Sequence, residues 1–243
     1  MALPATWNSL VGYSFAERRH AGAIISSDYS EVECELLEVL APFEVSRADV
    51  LAGGGGKSAM TQWLEQHLKE RGWVKRNFKV RMVLDDETRD SKTHEIDHVR
   101  MFDDGRRSVA LEIEWNNKDP FYDRDLQNFR RLHELGVISV GIILTRGPNL
   151  NQALAAAYRD EYLSESASKL EARIDAWRKA PERARLKNMA SEEAATWLAN
   201  KAYQSKYGQA TTHWSKLMDR INRGLGDPCP LVLIGIEPAR LVD

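Results

Sequence analysis

Cysteine is scarce in this 243-residue chain, with two in all. Cys34 and Cys229 stand nearly two hundred positions apart with no CxxC spacing, which excludes a zinc cage or a disulfide framework and leaves two ordinary thiols. Long apolar runs are also missing, so nothing is suited to span a bilayer. The amino terminus, MALPATWNSL, lacks the basic region and apolar stretch of a signal peptide, and a cytoplasmic protein is the expectation. An excess of positive charge is absent too: 34 Lys and Arg against 36 Asp and Glu give a net charge of −2. Any nucleic-acid contact must then come from a local surface or from a cleft between two subunits, and the balance neither suggests nor excludes DNA. What is present, 43% hydrophobic and 29% charged residues, fits one large globular domain with a real core.

Apolar spacing predicts a helix over about 29–40, then GGGG at 53–56 feeding a second helix that ends at Gly72. FKVRMVLDD, HEIDHVRMF and SVALEIEW alternate as strands, the last two joined through Asp104-Gly105 as a tight hairpin. A helix over 120–135 follows, with Asp119 placed to cap it and Pro120 at its first position. VISVGIILTR reads as a strand buried on both faces, and PLVLIGI at 230–236 as another. Residues 150–204 hold no glycine and read as two or three helices broken near Pro181, an arm or subdomain on the main sheet. Its charge run PERARLK reads as a solvated helix face.

Three motifs carry chemistry. GGGGKS resembles a phosphate-binding loop, but Leu51 stands where a nucleotide-hydrolase loop needs its first glycine; backbone amides offered to a DNA phosphate at Lys57 and Ser58, or a plain connector, are the surviving readings. His94-Glu95-Ile96-Asp97-His98 matches HExxH. On a helix its histidines would share a zinc ion, as in a metallopeptidase; on a strand they lie about 13 Å apart. The hairpin makes the strand reading the stronger one, with Glu95 and Asp97 on one side and His94, Ile96 and His98 on the other. Closing that hairpin at residues 104 and 105 sets Asp97 across from Glu112 and Glu95 across from Glu114, with cross-strand Cβ atoms about 5 Å apart. Facing acids repel, and without Lys or Arg nearby on that face a divalent cation is the natural neutraliser. Hard oxygen donors suit Mg²⁺, and Mg²⁺ suits phosphoryl chemistry. A solvated outer sheet face is the alternative.

An acid followed, one hairpin later, by acid-x-acid resembles the core of the PD-(D/E)XK nucleases. The chain resembles the type II restriction endonucleases of the BglII, BstYI and BamHI group, BglII-like members above all. The matching stretches, in the family's order, are GGGGKS with RGW at 71–73, EIDHV at 95–99, ALEIEWNNKD at 110–119, ILTR at 143–146, then TTHWSKL and CPLVLIGI. The resemblance implies an α/β fold with a mixed central sheet flanked by helices and a helical insertion around 150–204. It also implies Mg²⁺-dependent cleavage of double-stranded DNA by a homodimer at a short palindrome, GATC-centred in many relatives, alongside a cognate DNA methyltransferase. By position, Asp97 and Glu112 resemble metal ligands, with the Ile113 carbonyl as a third. Glu114 stands where many of these nucleases have lysine and is the candidate for orienting the attacking water. Lys118, four residues on, is too distant to replace that lysine. Asn117 resembles a base-contacting asparagine, with a turn residue as the alternative. Thr211, Thr212 and His213 carry over only as residues near DNA, with a helix cap as the alternative. Lys57, Arg124, Arg146 and Arg183 are the basic residues expected to line the cleft. A zinc peptidase using His94 and His98, and a DNA-binding protein with a dead nuclease core, are the competing readings.

Overall fold

The computed structural model describes residues 7–53 and 56–243, so Gly54, Gly55 and the first six residues, on which the loop and amino-terminal readings partly rest, lie outside the described residues. The chain opens with β1 (Tyr13–Arg18), α1 (Ala21–Asp28), α2 (Ser30–Leu40), a short β2 (Val45–Ser46) and α3 (Arg47–Leu51). α4 (Ala59–Glu70) precedes the long hairpin of β3 (Trp73–Leu84) and β4 (Glu87–Arg100). β5 (Ser108–Glu114), α5 (Phe121–Glu134) and β6 (Ile138–Arg146) form a strand-helix-strand unit. Helices α6 (Leu150–Ser164), α7 (Ala167–Asp175), α8 (Ala180–Lys187) and α9 (Ser191–Tyr207) come next, then α10 (Trp214–Asn222), β7 (Leu231–Ile236) and a short β8 (Leu241–Val242).

Six strands build one mixed sheet in the order β1-β7-β6-β5-β4-β3. β5, β6 and β7 run parallel, and β1, β4 and β3 extend the two sides antiparallel. The parallel centre is buried on both faces, as the apolar run ISVGIILTR anticipates. One face carries a core with Leu111, Ile113, Leu144 and Trp115 beneath α2 and α4; the other carries Ala110, Ile143 and Leu233 beneath α5 and α10.

α5 decides where one half of the site sits. Tyr122, Leu126, Phe129 and Leu132 recur at helical spacing and are fully buried, each contributing roughly 1.5–3 kcal/mol by leaving water. Gly141 of β6 lets the helix come this close: a Cβ there would stand 2.4 Å from the Phe129 ring. Any side chain at 141 would push α5 off the sheet, together with the polar residues it carries inward.

Several expectations change. The link between β4 and β5 is not a two-residue turn but a loop over 101–107, because Arg106 folds back to bond Asp104 and reaches Glu31. The register survives nonetheless: His98 pairs Leu111 and Arg100 pairs Val109, the same pairing the tight turn would set. The ladder covers three residue pairs, so it does not bring Glu95 opposite Glu114; Glu95 pairs Asn77 of β3 instead. Asp119 does not cap α5 with its side chain, which faces Lys216 and Arg220 of α10. Between residues 150 and 207 there are four helices, and Pro181 lies in the first turn of α8, where its fixed φ and missing N–H are tolerated. Leu170, Ile174, Leu186 and Leu198 give α7, α8 and α9 a small core of their own.

Candidate active site

β4 deviates from regular pairing at the residues that matter. Val74 pairs Val99 and Arg76 pairs Ile96, so Asp97 and His98 together oppose Lys75 in a β-bulge. The bulge separates side chains that strict alternation would have kept on one face. His94 bonds Asn128 of α5 at 2.8 Å, whereas His98 is buried against the Leu111 carbonyl and lines a cleft beside α4. His94, Ile96 and His98 therefore do not share a face. The two histidines serve different neighbours, and the HExxH zinc arrangement is not formed.

Asp97 and Glu112 do meet, through Asp97's backbone N–H, which donates to Glu112 Oε1 at 3.3 Å. Their side chains live in different surroundings. Asp97 is half-exposed and pairs at 3.1 Å with Lys75, which also holds Glu95 at 2.7 Å. That corrects the expectation of an acidic face with no cation beside it. Glu112 and Glu114 are each 2% exposed at the carboxyl end of β5.

A third buried acid comes from α5. Asp125 is fully buried, with Arg124 at 2.7 Å as its cation. Burial, then Asp125 and Asp97, hold the Glu112 carboxyl well above the usual carboxylate range. Burial and the contact with Asp125 push Glu114 up to about 9. Asp125 is itself raised by burial, against the pull of Arg124. With both acids ionised, Asp125 Oδ2 is left buried without a donor; a proton on Glu114, shared with Asp125, removes the repulsion. Asp125 was missed in the sequence, yet a signal existed: an acid among Tyr122, Leu126 and Phe129 sits on the buried stripe of its helix.

A cleft of about 240 Å³ gathers Lys57, Ser58, Asp97, Ile113, Asn116 and Asn117; of the clustered acids it is Asp97 that lines it, while Glu112, Glu114 and Asp125 do not. α4 starts there because the Ser58 hydroxyl accepts the Thr61 N–H, and Lys57 pairs with Glu65 at 2.6 Å. Asn117 is exposed at the cleft, its Nδ2 donating to Glu114 Oε2 at 3.0 Å. Among the described residues, no three His, Cys, Asp or Glu side chains converge as a ready-made metal cage.

The remaining basic candidates lie elsewhere. Arg146 is fully buried and is no cleft residue. Arg183 belongs to the helical arm, bonding the Asp175 and Trp177 carbonyls. Thr212 and His213 are buried, and Thr211 donates to Gly208 and accepts from Arg146. Neither Thr212 nor His213 caps α10 through its side chain.

Comparison with known families adds the deciding observation: the model of the restriction endonuclease BglII/BglIII family matches residues 13–236, from the first residue of β1 to the last of β7. The chain belongs to that family. As a BglII/BglIII family member it is a type II site-specific deoxyribonuclease, and the six-stranded mixed sheet flanked by helices is consistent with a nuclease core. Compared one by one with curated proteins, this family member has no match. Among its described residues no helix is long and apolar enough to cross a membrane.

Proposed function

We propose that this restriction endonuclease hydrolyses phosphodiester bonds of double-stranded DNA at a short palindrome, as a Mg²⁺-dependent homodimer, with Asp97, Glu112 and Glu114 at the reacting phosphate. The observation that carries the reading is the acid cluster: two buried glutamates on β5, Asp97 bonded to one through its amide, and Asp125 behind the other.

The donor set fits a hard divalent cation. Glu112, Glu114 and Asp125 are all raised toward their neutral forms by burial and mutual repulsion, with Arg124 as the cation in contact with Asp125. Such a cluster favours an added positive charge. Asp97, Glu112 and the Ile113 carbonyl would hold it, with Asp97 leaving Lys75 to do so. Bound there, Mg²⁺ would supply charge for the phosphoryl oxygens and acidify a water.

The chain's own groups do the rest. Glu114, once ionised, accepts a hydrogen bond from the attacking water and aims its lone pair at phosphorus. Asn117 fixes the Glu114 carboxylate through its 3.0 Å hydrogen bond. Lys57 and the amino-terminal end of α4 face the cleft that Asp97 and Asn117 line and offer positive potential to a backbone phosphate. A palindrome presents two equivalent strands, so a two-fold dimer brings one such site to each. In its host such an enzyme works beside a methyltransferase that protects the same DNA sequence.

Purified protein incubated with plasmid and Mg²⁺ tests the proposal. Discrete fragments with identical end sequences are expected, dependent on the added metal. Intact DNA across several sequence-diverse plasmids overturns it. The same end sequences give the recognition site and the cut position.

A further inference from the structure

Arg146, at the end of β6, is fully buried, and its guanidinium donates to carbonyl, hydroxyl and amide oxygens, not to a carboxylate. Its Nε donates to the Trp115 carbonyl at 2.8 Å and to the Thr212 carbonyl at 3.1 Å. Nη2 reaches Thr211 Oγ1 at 2.6 Å and Thr212 O, and Nη1 reaches Asn151 Oδ1 at 2.6 Å. Burial pushes the guanidinium down to about 10, so it stays charged at neutral pH. Burying an unpaired cation is costly, and an apolar side chain of similar volume would fill the space more cheaply. The planar fork achieves something a hydrocarbon cannot, since it holds several fixed acceptors in one geometry.

The Trp115 carbonyl lies just ahead of residues 117–119, and Thr211 Oγ1 and the Thr212 carbonyl lie within residues 210–212, so Arg146 ties the entry to one segment to the body of the other. Residues 117–119 and 210–212 meet through an isolated antiparallel bridge between Lys118 and Thr211, made by two amide bonds, Thr212 N–H to Asn117 O at 2.8 Å and Asp119 N–H to Ala210 O at 3.0 Å. Together they form a wall of a concave basin of about 750 Å³, which Asn116, Lys118, Gln204, Gln209 and Thr211 line with donors and acceptors. The basin adjoins the catalytic cleft, Asn116 lining both. Amide side chains and a lysine in a row suit base edges and the phosphate beside them.

We infer that Arg146 is a positioning residue, a buried clamp that fixes a second DNA-reading strip of Asn116, Lys118 and Gln209 beside the catalytic acids. The inference rests on the DNA-cleaving reading of the cleft. Arg146 itself touches no DNA.

Arg146→Gln and Arg146→Lys, in the full-length protein, test it with two readouts. Hydrogen exchange should speed up in peptides spanning 117–119 and 210–212 of folded Arg146→Gln, while β6 and β7 keep their protection. The ratio of cleavage rates at the cognate site and at sites differing by one base should fall by about tenfold or more, with affinity for non-specific duplex unchanged. Arg146→Lys, keeping charge but losing the fork, should fall between. If Arg146→Gln does not fold, Asn151→Ala loosens one arm of the clamp and should move both readouts the same way by less. Wild-type protection in both peptides, or an equal loss of cleavage at every site, overturns the proposal. Should the wild-type protein cut no DNA, the catalytic reading fails by itself, and the exchange result alone decides whether Arg146 clamps the two segments.

Discussion

Asn117 Nδ2 donates to Glu114 Oε2 at 3.0 Å, so the asparagine that resembles a base-contacting residue and the glutamate proposed to orient water hold each other. Under the proposed mechanism, acid-x-acid stands where lysine would otherwise be because an amide, not an ammonium, fixes the geometry of Glu114. Asn117→Ala is expected to lower single-turnover cleavage by about 10²-fold, the cost of misplacing a catalytic group by about 1 Å. Asn117→Ala combined with Glu114→Gln should cost little more than the worse single change, since each removes the same unit. Additive losses in the two singles and the double would show that the residues act separately.

Glu114 and Asp125 predict a pH dependence of stability. The Glu114 carboxyl is held at about 9 in the folded chain against 4.5 when unfolded. A raised acid stabilises the fold fully below its unfolded value, and that stability is lost as pH rises through the folded one. Thermal unfolding in chelator should therefore occur at falling temperatures from pH 5 to pH 9. Glu114→Gln removes the charge and should unfold roughly 5 °C higher than wild type at pH 8, with the two converging near pH 5. Parallel curves across that range would reject the shared-proton pair.

Much of this was legible in the sequence because it depends on periodicity. The apolar alternation of β5, the apolar run of β6 and the amphipathic stripe of α5 emerge where expected, and the β4–β5 register holds although its loop is longer. What was not legible depends on irregularity or on distance along the chain. A bulge opposite Lys75 turns His98 away from His94, and no local pattern announces an extra residue in a strand. Lys75 and Asp125 lie on the neighbouring strand and on the covering helix, so their meeting with Asp97 and Glu114 follows from packing. Arg146 was expected to line the cleft because nothing around the last residue of β6 announces the 5 hydrogen-bond acceptors that, Asn151 aside, come from residues far along the chain.

Asp97 is expected to be indispensable for cutting and dispensable for binding. Asp97→Ala should reduce plasmid cleavage below detection while duplex affinity, measured by gel shift in Ca²⁺, stays within about threefold. Lys75 competes for the same carboxylate from a half-exposed position. Lys75→Met should lower the Mg²⁺ concentration for half-maximal cleavage, by no more than about fivefold given the worth of an exposed ion pair. A higher Mg²⁺ requirement in that variant would make Lys75 a helper of the site and not its competitor.

His213 gives the opposite pH slope from Glu114. Its ring is buried at the start of α10, Nδ1 bonded to Ser215 Oγ at 3.0 Å and Nε2 without a partner. Burial, reinforced by Arg146 and Lys216, pushes it down to about 4 from 6.5. Here the unfolded chain takes up the proton more readily, so stability present above pH 6.5 is lost as pH falls toward 4. Every ionised carboxylate adds its own acid sensitivity, so the informative quantity is the difference between wild type and His213→Asn. That difference in melting temperature should shift in the variant's favour between pH 7 and pH 4.5, as the wild type alone must charge a buried ring. A difference that stays constant over the window would mean that His213 titrates as freely in the folded chain as in the unfolded one.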